Sequence, residues 1–137
     1  MAVIEELLRS ETEGAISFGN HKLKQKAKVE DFEHEGDMLK VKTYNAMTKL
    51  EKNGMFLYES VPGTSVLRFR ESEKGVEFII EGDEDAQITV GLMEDKEYEV
   101  FVGGESIGTM KTGLGGKLSL SVELEGIGEV TVKIEHV

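Results

Sequence analysis

The sequence predicts a mostly-β fold with α+β character at its N-terminus: a short amphipathic helix, a β-rich N-terminal part over residues 1–62, and a seven-stranded antiparallel β-sandwich over residues 65–137. Three observations predict it. Beyond residue 65, apolar and polar residues alternate in seven short runs, the period of half-buried strands. Turn signals built on Gly and Asp separate those runs at intervals of about 8–12 residues, as in sandwiches and small barrels. A helical period appears clearly in the first ten residues only.

The helix is expected over residues 2–10. Val3, Ile4, Leu7 and Leu8 fall at i, i+1, i+4 and i+5, one face of a 3.6-residue repeat. Glu5 and Glu6 suit the positive end of the helix dipole, Arg9 suits the negative end, and Gly14 is a natural stop. So short a helix does not stand alone in water, so its apolar stripe must dock on its own domain or on another subunit. Val3, Ile4, Leu7 and Leu8 are therefore the candidate oligomer contacts. From residue 15 the period becomes alternating, with Ile16 and Phe18 about Ser17. Lys22, Lys24, Lys26 and Lys28 share parity and would line one strand face at ~6.6–6.8 Å intervals, as a solvated face or an anion-binding stripe. Met38 to Tyr44 is the next strand. Between Tyr44 and Ser60 two readings compete: a hairpin turning at Asn53-Gly54, and a helix from Ala46 to Lys52 capped by Gly54. The strands on either side favour the hairpin. Val61-Pro62-Gly63-Thr64 carries the one proline and marks the junction of the two parts.

Past that junction, Leu67 and Phe69 alternate with Arg68 and Arg70, and Val76, Phe78 and Ile80 with polar or outward residues. Ile88, Val90 and Leu92 are followed by Tyr98, Val100 and Val102, then a weaker run about Ile107 and Met110. Leu118, Leu120, Val122 and Leu124 precede a final run of Val130, Val132 and Ile134. Alternation this regular argues for antiparallel sheets, each with one dry face, and the seven strands resemble an Ig-like or fibronectin-III-like sandwich, although the Cys…Trp…Cys signature of true Ig domains is absent.

Composition narrows function. The 137 residues carry 16 Lys+Arg against 27 Asp+Glu, a net charge of −11, with no cysteine and no tryptophan. Without cysteine there is no disulfide scaffold, thiol nucleophile or thiolate metal site. An acidic chain repels phosphates, so nucleic acid and anionic membranes are not expected partners. Glu5 and Glu6 interrupt the first apolar residues before a secretory signal could form, and no stretch reaches the ~20 apolar residues of a membrane span. A cytoplasmic location and no cofactor are expected.

Few side chains are grouped for chemistry. Phe32-Glu33-His34-Glu35-Gly36-Asp37 gathers one imidazole and three carboxylates without zinc-site spacing, and reads as a charged turn. Asp83, Glu84 and Asp85 could offer oxygens to calcium, although they lack the spacing of an EF-hand loop. The glycines at 103–104 and 113–116 lie between strands and read as turns rather than phosphate loops. Arg68 and Arg70, two apart on a strand, would project from one face and could fork a carboxylate or sulfate; Glu71, Glu73 and Glu77 are the nearby competitors. No serine stands in a nucleophile elbow.

The stretch from Leu50 to Thr64, with its core Tyr58-Glu59-Ser60-Val61-Pro62-Gly63, resembles a family of small bacterial proteins commonly labelled endosialidases. Glu97 to Val102, Gly108 to Thr112 and Gly116 to Leu124 extend the resemblance along the chain. The C-terminal half is also similar to small β-sandwich modules appended to bacterial glycan-active enzymes. The resemblance implies a glycan-binding or sialidase-type glycan-active protein that recognises an acidic sugar, with Arg68 and Arg70 holding its carboxylate and Tyr58 or Tyr98 as a stacking surface. The residues themselves point first to a different class: a non-catalytic structural or binding protein that self-associates into a homo-oligomer through the N-terminal helix and its sheet edges.

Overall fold

A computed structural model describes residues 3–137 as thirteen strands in two antiparallel sheets. In chain order they are β1 (Leu8–Ser10), β2 (Ile16–Phe18), β3 (Ala27–His34), β4 (Asp37–Tyr44), β5 (Met47–Lys52), β6 (Met55–Val61) and β7 (Ser65–Ser72). Then follow β8 (Gly75–Glu81), β9 (Ala86–Gly91), β10 (Glu97–Val102), β11 (Glu105–Lys111), β12 (Lys117–Val122) and β13 (Val130–His136). The first sheet has the order β1-β2-β7-β8-β13-β10-β11, the second β12-β9-β6-β5-β4-β3. The mostly-β expectation holds, and Asn53-Gly54 does close a hairpin, that of β5 and β6.

The inner faces of the two sheets meet in one apolar cluster. Phe18, Phe69 and Phe78 from the first sheet surround Tyr58 from the second, edge-on at centroid distances of 5.3, 6.1 and 5.7 Å. Such edge-to-face contacts place the positive ring edge against the negative face of its neighbour. The strand alternation reads through to burial: Val76, Phe78, Ile80, Ile88, Val90, Val100, Leu118, Leu120, Val132 and Ile134 all point inward.

The expected helix over 2–10 is not formed; Ala2 lies outside the described residues, and among them there is no α-helix. Instead the Ile4 N–H donates to the Gly19 carbonyl (3.0 Å), the Leu7 N–H donates back to Ile4 (2.9 Å), and Leu7 takes φ +71°. The chain then runs extended, with Leu8 opposite Phe18. So short a helix leaves most of its end groups unsatisfied, whereas an extended strand satisfies them on β2 and still buries Ile4 and Leu8. The lysine stripe also fails: Lys22, Lys24 and Lys26 lie in the loop before β3, and only Lys28 is in a strand. In β7 the alternation breaks, because the register against β8 shifts between Leu67 and Arg70 and Arg68 takes φ +52°. The bulge makes Val66 and Phe69 the inward pair, where alternation alone predicted Leu67 and Phe69.

Residues 61–64 do not separate two cores. β2 pairs with β7 and β6 pairs with β9, so segments 1–62 and 65–137 contribute strands to both sheets. The seven strands expected after residue 65 are present, but five lie in the first sheet and two, β9 and β12, in the second.

Candidate functional site

Arg68 and Arg70 line one open depression of about 380 Å³ on the outer side of the first sheet, together with Glu13, Glu77, Ile79 and Thr131. The bulge that resets β7 leaves both guanidinium groups outward. It also frees the Arg68 N–H to donate to Ser17 Oγ (3.0 Å), and Ser17 in turn donates to Glu11 Oε2 (2.6 Å). Arg9 Nε donates to the same Glu11 oxygen (2.9 Å), and these two bonds hold the Glu11 carboxyl below its usual range. The arginines are already engaged. Arg68 Nη1 donates to Thr12 Oγ1 (3.3 Å); Arg70 Nη1 donates to Glu13 Oε2 (3.1 Å), and Arg70 Nη2 lies 3.9 Å from Glu77. Glu77 was among the expected competitors, Glu13 was not, and Glu71 instead accepts from Lys52 (2.7 Å).

Neither tyrosine offers a stacking surface. Tyr98 is buried, with its hydroxyl accepting the Met93 N–H (3.2 Å). Tyr58 is buried at the centre of the interior, and burial pushes its phenol well above the ordinary tyrosine range. Its hydroxyl shares a hydrogen bond with Thr64 Oγ1 (2.7 Å), which also meets Ser60 Oγ (2.8 Å). Thr48 Oγ1 donates to the Thr64 carbonyl (2.7 Å) and meets Thr43 Oγ1 (2.9 Å), so the buried hydroxyls form one connected network.

The three acids proposed for calcium diverge. Asp83 accepts from Lys22 Nζ (2.6 Å), Glu84 is exposed, and Asp85 Oδ1 accepts the N–H groups of Leu124 (2.9 Å) and Glu125 (3.1 Å). Among the described residues no group of three His, Cys, Asp or Glu is placed to hold a metal ion.

The structure adds a grouping that sequence spacing did not signal. His21 is buried, its Nδ1 hydrogen-bonded to the buried Ser65 Oγ (2.8 Å) and its Nε2 3.7 Å from Asp83 Oδ1. That Nε2 is the buried side-chain polar atom left without a hydrogen bond among the described residues. The three residue types are those of a catalytic triad, but Ser65 is fully buried in β7, where no substrate carbonyl could reach it. Burial lowers the His21 pKa from its ordinary 6.5, against the opposing pull of Asp83 and Glu81 and with a small contribution from Lys22. Below about pH 6.5 the unfolded chain therefore takes up a proton that the folded chain resists, and stability falls as pH falls through that window. A melting curve series from about pH 7 to about pH 5 should show a declining midpoint in the wild type and a flatter one in His21→Leu.

Of the proposed oligomer contacts, Ile4 and Leu8 are spent inside the chain's own core, while Val3 and Leu7 are partly exposed. The sheet edges differ sharply in how they are protected. β1 is three residues long. β3 carries Lys28, Glu30, Asp31 and Glu33, with a register shift where Asp31 takes φ +55°. β11 is broken by a register shift opposite Val100 and Phe101, near Gly108 at φ +113°. β12 pairs with β9 at six consecutive positions without a shift, and Lys117 is its one charged residue. Among the described residues, no helix is long and apolar enough to cross a membrane. Comparison with known proteins returns no match to this chain, whether among family models, curated proteins or solved structures.

Proposed function

We propose that the protein is a non-catalytic structural or binding module, an immunoglobulin-like sandwich that self-associates into a homo-oligomer through its sheet edges. The observation that carries this reading is β12: a straight, nearly uncharged edge strand beside three edges that are short, charged or bulged. An unguarded edge presents a row of unpaired N–H and C=O groups and is a ready template for another strand. Light scattering and native mass spectrometry at micromolar concentration should report a discrete homo-oligomer. A monomer under those conditions overturns the proposal.

A second reading has one observation in its favour, the placement of Arg68 and Arg70 on a single depression. It makes that depression a site for the carboxylate of an acidic glycan. Glu13 and Glu77 compete with such a ligand for Arg70, which supports self-association over it. Calorimetric titration with polysialic acid separates the two, since the edge reading expects no heat.

A further inference from the structure

We propose that β12 pairs antiparallel with β12 of a second copy about a two-fold axis through Ser119, joining two six-stranded sheets into one continuous sheet; this rests on the self-association proposed above and names its edge and register.

The polarity of the edge follows from the ladder on its other side. The Leu92 N–H donates to the Gly116 carbonyl (2.7 Å), which makes residues 116 and 92 a hydrogen-bonding position. Backbone groups alternate sides along a strand, so Leu118, Leu120 and Val122 also direct theirs at β9. Lys117, Ser119 and Ser121 therefore point their N–H and C=O groups away from the sheet, where β12 has no neighbouring strand among the described residues.

Those three residues are self-complementary. An axis through Ser119 sets Ser119 opposite its own copy and Lys117 opposite Ser121 of the other copy, each a hydrogen-bonded pair exchanging two bonds. The outer faces agree as well. The row carries Lys117, Ser119 and Ser121, and Ser119 and Ser121 already hydrogen-bond sideways to Thr89 (2.8 Å) and Gln87 (2.9 Å), so no like charges are brought together. One diagonal step further, Lys117 stands near Glu123 of the other copy, an exposed acid directly after the strand, and the contact occurs twice by symmetry. The inner faces present Leu118, Leu120 and Val122, so the apolar layer continues across the join.

The absence of cysteine makes the test direct. Ser119→Cys introduces the only thiol, at a position where the paired Cα atoms would stand about 5.5 Å apart, within disulfide range. Mild oxidation should convert the S119C oligomer to a covalent dimer, while S121C, which faces Lys117 rather than itself, should stay largely uncrosslinked. Ser119→Pro removes an N–H that points away from β9, so it should keep the far-ultraviolet spectrum and raise the dissociation constant at least about tenfold. Should S119P fold poorly, Ser121→Lys provides the second variant: it sets a second ammonium group against Lys117 of the other copy and weakens association, and adding Lys117→Glu restores it. A wild-type oligomer that gives no S119C crosslink and ignores both S119P and S121K overturns this interface and leaves self-association standing. A monomeric wild type overturns both.

Discussion

Replacing Tyr58 by alanine should cost about 4 kcal/mol in equilibrium urea unfolding, the scale of an aromatic truncation in a tightly packed interior. The side chain is fully buried, and its ring is the part of the second sheet that Phe18, Phe69 and Phe78 close upon. Removing it opens a cavity walled by three rings that strand pairing holds in place, so the site relaxes little. Tyr58→Phe keeps the ring and deletes one hydrogen bond, and Thr64 Oγ1 retains Ser60 Oγ as a partner. Its cost should be only about 1 kcal/mol. Equal losses in the two variants would mean that the hydroxyl network, not the ring cluster, holds the sheets together. The raised phenol pKa adds an alkaline signature. The unfolded chain ionises above about pH 10 while the folded one resists, so stability falls as pH rises past that point, and less so in Tyr58→Phe.

Gly63→Ala should destabilise by about 3 kcal/mol, although the residue lies outside the strands, in the buried connection between β6 and β7. A Cβ there would run into the Tyr44 carbonyl oxygen, with the Tyr44 and Asn45 carbonyl carbons at 3.2 and 3.4 Å. The obstruction is backbone and has no rotamer to yield. Nor can Gly63 retreat easily, because its N–H donates to the Asn45 carbonyl (3.0 Å) and the next residue, Thr64, is fastened to Thr48. Gly54→Ala is the control. That turn has φ +78° but nothing within 4 Å of a new Cβ, so the change meets conformational strain alone and should cost about 1 kcal/mol. Thermal or urea unfolding of both variants shows whether the backbone collision at Gly63 costs more than the left-handed conformation at Gly54.

Most strand positions past residue 72, those of β11 apart, were legible because the run obeys one parity; Val76, Phe78 and Ile80, or Leu118, Leu120 and Val122, announce their inward face by alternation. Tyr98 belonged to such a run with Val100 and so already read as inward, which is at odds with a stacking role. Tyr58 was harder to place. It follows Phe56 and Leu57 in an unbroken apolar stretch, and the register shift in β6 beside Leu57 puts both Leu57 and Tyr58 in the core. Leu67 was misplaced, and Val66 missed, for the same reason, since a bulge is a backbone event that leaves little mark in composition. The first ten residues misread because Ile4 and Leu8 satisfy helical spacing and strand parity alike; only the presence of β2 as a partner decides. The Arg68–Arg70 face was visible in advance, whereas Glu13 and the His21–Ser65 contact, 44 residues apart in sequence, come from topology.

The strand order also constrains how the protein is made. Emerging from the ribosome, β2 has to wait for β7, β6 for β9, and β8 for β13, almost fifty residues later. The larger sheet thus has a gap in its middle until residues 130–136 have been made, and the hairpins formed early expose strand flanks that belong against sequence not yet translated. The first half can form its β3–β6 meander as it emerges but cannot complete either sheet. Nascent chains stalled before residue 130 should be clients of whatever holds unpaired strands apart in the cell.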